Sequence, residues 1–174
     1  DVEGIIFADE SANNPSSTLS SARYVDNVTS SNTTHGYAHG GASGSNSTAV
    51  DRIVFATETV AAISDTISTS HWTGGCGTNS SVAAYGHGNG ASATTCFKMP
   101  FATETDETLS ATLAAGRNNA AGANSLLNSW AMGGANVSSE IDGIKHSDDT
   151  QRNPSATLSA AMTVMSPCHS GGTL

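Results

Sequence analysis

The sequence is short of charge, of basic residues above all, and of aromatic rings. Charged side chains make up 12% of the chain, about half of the roughly 25% usual in a soluble domain. A folded surface must then be covered by Ser, Thr, Asn and Gly. Six Lys and Arg stand against fifteen Asp and Glu, for a net charge of -9, with no acidic tail and no basic patch. Such a chain repels a nucleic-acid backbone, so no nucleic-acid partner is expected. Aromatic residues amount to 5%, which weakens any reading that relies on rings stacking against sugars. No run approaches the 18 apolar residues of a membrane span, and no charged-then-apolar signal region opens the chain. Asp1 in place of Met is read as a processed chain or a piece of a longer one.

Cysteine is almost absent and wrongly spaced for chemistry. Cys76, Cys96 and Cys168 are odd in number and lack a CxxC pair, so neither a disulfide framework nor a zinc knuckle is expected. Small buried thiols are the expectation. His35, His71, His146 and His169 show no HxH or HExxH spacing, and no GxSxG elbow accompanies the many serines. Neither a catalytic residue nor a cofactor is expected.

What is present is repetition. The pentapeptide FATET occurs at Phe55–Thr59 and again at Phe101–Thr105, and the match extends into four copies of a unit of 45–48 residues. Its first element reads VEGIIFADES from Val2, VDRIVFATET from Val50, CFKMPFATET from Cys96 and IDGIKHSDDT from Ile141. Its second reads STLSSAR ending at Arg23, DTISTSH ending at His71, ATLAAGR ending at Arg117 and ATLSAAM ending at Met162. A third, GYAHGG from Gly36, AYGHGNG from Ala84 and SWAMGG from Ser129, closes the first three copies. The copies run approximately over 1–48, 49–94, 95–139 and 140–174, within a single domain of 1–174.

Each element is short, alternates in the manner of a half-buried strand and is bounded by turn formers. The Ala- and Leu-rich LSATLAAGRNNAAGANSLLNSW would suit a helix. Its counterpart in the second copy is full of Gly and Thr, and equivalent positions share a structure, so strands are expected in both. FATET is placed on the third strand of each unit and the LSxAR element on the fourth.

An all-β repeat of this period, with double glycines at Gly40-Gly41 and Gly133-Gly134 and Gly88-Asn89-Gly90 between them, resembles the kelch family. The resemblance implies a β-propeller of about four repeats, closed as a four-bladed ring or forming part of a larger one. The FATET, LSxAR and GYxxGG style also resembles repeat arrays of bacteriophage tail-fibre and virion appendage proteins.

Candidate residues follow from the repeat. Gly40, Gly41, Gly88, Gly90, Gly133 and Gly134 are architectural, since glycine tolerates positive φ and close strand approach. Arg23 and Arg117 share one position and are expected to hydrogen bond to a neighbouring blade. Tyr37, His39, Tyr85, His87 and Trp130 are the candidates for surface recognition. His39 and His87 gain no third partner for a metal, because Met132 stands at their position in the next copy. The expected function is structural or adhesive and not enzymatic: a virion protein of a phage tail fibre, appendage or capsid decoration, partnered by other copies of itself, by neighbouring virion proteins or by a cell-surface glycan. The alternative is an extracellular bacterial carbohydrate-binding propeller. Either places the chain on a virion, outside the cell or at its surface.

Overall fold

A computed structural model describes residues 4–6, 11–13, 17–23, 28–45, 47–67, 76–88, 93–117, 119–134 and 139–162. Among the described residues every regular element is a strand. A short antiparallel hairpin comes first, β1 (Gly4–Ile6) with β2 (Ser11–Asn13). Three four-stranded antiparallel sheets follow, each in simple chain order. The first holds β3 (Val28–Ser31), β4 (His35–His39), β5 (Ala49–Val54) and β6 (Thr59–Thr66). The second holds β7 (Cys76–Asn79), β8 (Ala83–His87), β9 (Thr95–Pro100) and β10 (Glu107–Thr112). The third holds β11 (Ala121–Asn124), β12 (Asn128–Met132), β13 (Ile141–Lys145) and β14 (Thr150–Arg152). The first strands of successive sheets lie beside one another, β3 against β7 and β7 against β11. The three sheets do not by themselves close a ring.

The stretch that could have been a helix is β10, β11 and β12. Two strand assignments are corrected. FATET does not lie on the third strand: β5 and β9 stop at Val54 and Pro100, and Phe55–Glu58 and Phe101–Glu104 reverse the chain. The Glu58 N–H donates to Val54 O at 2.8 Å and the Glu104 N–H to Pro100 O at 2.9 Å. The turn closes on a residue with left-handed φ, 53° at Glu58, 52° at Glu104 and 54° at Asp149. Because the chain turns back at once, the fourth strand starts at Thr59, Glu107 or Thr150 and is spent before the LSxAR element begins. That element is the crossing to the next sheet. Its apolar residue is pinned as the chain leaves, with the N–H groups of Ile67, Leu113 and Leu158 donating to Thr48 O, Thr94 O and Ser139 O at 2.9, 2.8 and 2.8 Å.

Successive sheets pack face to face. Tyr37, Val50 and Ile67 from the first meet Ala84, Phe97 and Met99 from the second. Ala83, Tyr85, Cys96 and Leu113 from the second meet Ala120, Ala131 and Ile144 on the third-sheet side. Alternation along β8 sends Ala83 and Tyr85 to one neighbour and Ala84 and Gly86 to the other. The middle sheet is therefore covered on both faces, and all of β8 is buried.

Candidate functional site

Alternation that buries β8 also removes four of the five proposed recognition residues from the surface. Tyr37, His39, Tyr85 and His87 are all buried, and Trp130 is half-buried. Tyr37 on β4 and Tyr85 on β8 lie in the cores between successive sheets, while Trp130 stands on β12. Surface recognition by the tyrosines and histidines is thereby corrected. His39 Nε2 lies 2.8 Å from Ser30 Oγ, and His87 Nε2 lies 3.4 Å from Thr78 Oγ1 on the equivalent strand. Cys96 Sγ lies 3.5 Å from His87 Nδ1, but burial pushes its thiol up to about 12. It is protonated at neutral pH and cannot serve as a thiolate nucleophile. Among the described residues no group of three His, Cys, Asp or Glu is placed to hold a metal ion.

What the FATET turn does is join one sheet to the previous one. Phe101 opens the second-sheet turn and stacks on Tyr37 of the first sheet, ring centroids 5.4 Å apart and planes at 15°. Glu104 closes that turn, accepting the Tyr37 hydroxyl at 2.9 Å and the Arg52 guanidinium at 2.8 Å. One sheet further on the same device recurs. His146 stacks on Tyr85 at 4.7 Å and 20°, while Asp149 accepts the Tyr85 hydroxyl at 3.1 Å and the Lys98 ammonium at 2.7 Å. Tyr37 faces Arg52 across adjacent strands and Tyr85 faces Lys98. Each tyrosine and cation thus present one composite donor site for the carboxylate of the next sheet. In the third sheet the pair is Trp130 and Gly143, and the indole lies over the space a Gly143 side chain would need. Burial, then the facing carboxylate, push both tyrosine hydroxyls up in pKa, so they remain donors well above neutral pH. Tyr37→Phe removes one hydrogen bond to a partly exposed carboxylate, and urea unfolding should register a loss of about 1 kcal/mol. An unchanged midpoint would mean that stacking alone holds the junction.

A second link is made by arginine. Arg117 leaves the second sheet and buries its side chain in the third, where it pairs with Asp142 on β13. Its other terminal nitrogen donates to Ala131 O at 3.2 Å, Gly133 O at 3.3 Å and Glu140 O at 3.1 Å. Arg23 repeats the arrangement upon the first sheet, pairing with Asp51 and donating to Ala49 O at 2.9 Å. Between these two junctions the equivalent positions are His71, outside the described residues, and Phe97. The recurrent glycines serve the same region: φ is 65° and 93° at Gly40 and Gly41, 63° and 99° at Gly133 and Gly134, and 73° at Gly88. A Cβ on Gly88 would stand 2.6 Å from Arg117 O, so chain geometry and space both require glycine. Gly90 lies outside the described residues.

The free surface of interest is the end of the sheets that carries these turns. Each hairpin tip there opens on a residue whose side chain caps the turn. Asn32 Oδ1 accepts the Thr34 and His35 N–H groups, both at 2.8 Å. Ser80 Oγ accepts those of Val82 and Ala83 at 3.2 and 3.0 Å, and Ser125 Oγ those of Leu127 and Asn128 at 3.3 and 3.1 Å. With the cap supplied by the first residue, the next two are free to face outward. They are Thr33-Thr34, Ser81-Val82 and Leu126-Leu127. The FATET-type turns lie beside these tips, the N–H groups of Phe55, Phe101 and His146 donating to Thr34 O, Val82 O and Leu127 O at 3.0, 2.9 and 2.9 Å. Exposure is 47% at Phe55, 67% at Val82, 78% at Leu126 and 70% at Leu127. Sequence reasoning missed these four, although for Val82, Leu126 and Leu127 a Ser followed within two residues by Val or Leu between strands was the signal that could have found them.

No protein-family model and no curated protein matches the chain. Among solved structures 96 chains match. One, the structure of YjhT, superposes with a TM-score of 0.66 at 12% identity, over 80% of this chain and 53% of that one. The chain therefore spans about half the length of that structure, and the likeness is one of fold.

Proposed function

We propose that this chain is a structural or adhesive module of a virion tail fibre, appendage or capsid decoration, or of a comparable assembly outside a cell, and that it is not an enzyme. Its scaffold is a kelch-like β-propeller, closed at four blades or continued in a larger ring. Support for the propeller comes from the four-copy repeat, from three meander sheets whose first strands lie side by side, and from a hairpin, β1–β2, in the place of two further outer strands.

The observation that carries the assembly reading is the exposed apolar end of the sheets. Phe55, Val82, Leu126 and Leu127 project from adjacent turns. The charges exposed on those turns are few: Glu58, and Asp148 with its Lys145 partner at 2.6 Å. Apolar groups projecting together mark an interaction surface, and in a chain of net charge -9 a face with little charge meets the least repulsion from another copy. A glycan-binding reading is supported less, since Tyr37 and Tyr85 are enclosed between sheets.

Light scattering tests this directly. The chain should run heavier than its 17.5 kDa, and Leu126→Asp with Leu127→Asp should return it to the monomer mass. A wild-type chain that stays monomeric at the highest soluble concentration would overturn self-assembly.

A further inference from the structure

The turn that locks the third sheet to the second reads HSDDT where its counterparts read FATET, and the residue that opens it changes in kind: Phe55 and Phe101 are followed, one sheet on, by His146. The stacking role is kept, with the imidazole 4.7 Å from the Tyr85 ring. A ring of the same use but with two nitrogens has replaced a hydrocarbon. We propose that His146 makes the junction between the second and third sheets an acid-released latch. This holds whether or not the exposed turn end is an assembly surface.

The geometry suits only the neutral imidazole. Nδ1 lies 3.3 Å from Leu126 O, so it carries the proton and donates. Nε2 is buried and meets no hydrogen-bond partner among the described residues. A proton added there would create an N–H without an acceptor and a cation beside one already present. Among the described residues, the charged and titratable groups linked to the ring or to its partners come from β8, β9, β10, β13 and the turn itself. Tyr85 on β8 is the stacking partner, and Lys98 on β9 holds its ammonium 6.0 Å from the Tyr85 centroid. Glu107 on β10 lies 3.8 Å from that ammonium. The turn itself carries Asp149, 2.7 Å from Lys98, and Asp148, 2.6 Å from Lys145. Asp149 is the acid that would favour an imidazolium, but its oxygens already accept the Tyr85 hydroxyl and the Lys98 ammonium. Consistent with this, burial lowers the pKa of His146 below its ordinary 6.5.

The sign follows. A histidine whose folded pKa is depressed stabilises the closed junction fully above the ordinary value, and that stabilisation is lost as pH falls from 6.5 toward the folded value. Opening the junction admits the proton. The first structure to move is the Ser125–Asn128 hairpin tip, because its Leu126 carbonyl accepts from the imidazole and its Leu127 carbonyl from the His146 backbone at 2.9 Å.

Hydrogen exchange, corrected for the intrinsic rate, is measured over residues 124–130 and 141–150 in the wild-type chain and in His146→Phe, at about pH 7.5 and about pH 5. In the wild type the opening equilibrium should rise with acid, by at most about tenfold per pH unit for one proton. In His146→Phe, which restores the residue of the other two turns, it should be flat. Equal pH dependence in both chains would overturn the proposal. Should the variant fail to fold, an NMR titration of the wild-type imidazole decides. A pKa below 6.5 with coupled shifts at Leu126 and Leu127 supports the latch, and a pKa at or above that value overturns it.

Discussion

Arg117→Ala should lower the unfolding free energy by about 3–5 kcal/mol, the cost of stranding one member of a buried ion pair. Arg117 is fully buried and Asp142 is 1% exposed, so water cannot take over the part of the missing guanidinium. Three backbone carbonyls, those of Ala131, Gly133 and Glu140, lose a donor in the same step; Glu140 O keeps the Gly133 N–H at 2.9 Å, and a buried acceptor left unpaired among the other two adds to the loss. The pair itself is no great source of stability, because both ions had to be dehydrated to form it. The double variant Arg117→Ala with Asp142→Ala removes the stranded charge and should recover part of the loss. Lys145→Ala is the control: it breaks an ion pair about half exposed on both sides and should cost less than about 1 kcal/mol. Urea unfolding of the four chains reads all of this. An Arg117→Ala loss as small as that of Lys145→Ala would show that the clamp does not hold the sheets.

Legibility in the sequence followed the range of the interaction concerned. Strand-forming segments were readable because alternation and turn residues are local, and the repeat excluded a helix where composition alone favoured one. The end of each strand was not readable, since FATET continues the pattern of Val50–Val54 and only the left-handed backbone at Glu58 or Glu104 ends it. Partnership between sheets was hidden for a related reason. Tyr37, Arg52 and Glu104 come from three elements and three repeat copies, and no spacing rule links them. Tyr37 and His39 seemed available to a ligand because a strand that covers itself on one face is the usual antiparallel case. Here a neighbouring sheet covers the second face as well. Leu126 and Leu127 were overlooked for the opposite reason, as apolar residues between two strands look like core until the Ser125 cap turns them outward.

The residues that break the repeat make the strongest test of how the sheets fit, and Phe97 with Gly86 is the clearest case. At the other two Arg-linked sheets the third strand carries Asp51 or Asp142, facing Ala38 or Ala131 across the ladder. In the middle sheet the same cross-strand position holds Phe97 facing Gly86, so a larger side chain coincides with a smaller partner. A Cβ on Gly86 would fall inside the Phe97 ring. Gly86→Ala should therefore cost about 1–3 kcal/mol through overpacking. Phe97→Ala should cost about 3–5 kcal/mol by emptying the space between the first and second sheets, where Phe97 packs with Val50, Ile67 and Met99. If the two residues fill one volume, the double variant Gly86→Ala with Phe97→Ala will be more stable than the sum of the two losses predicts, since the added methyl enters the space the ring has left. A coupling of about 1 kcal/mol or more in that direction is the expected result of the urea double-mutant cycle. Strict additivity would mean that the backbone shifts to admit the alanine whether or not the ring is there, and the packing account of this junction would have to be abandoned.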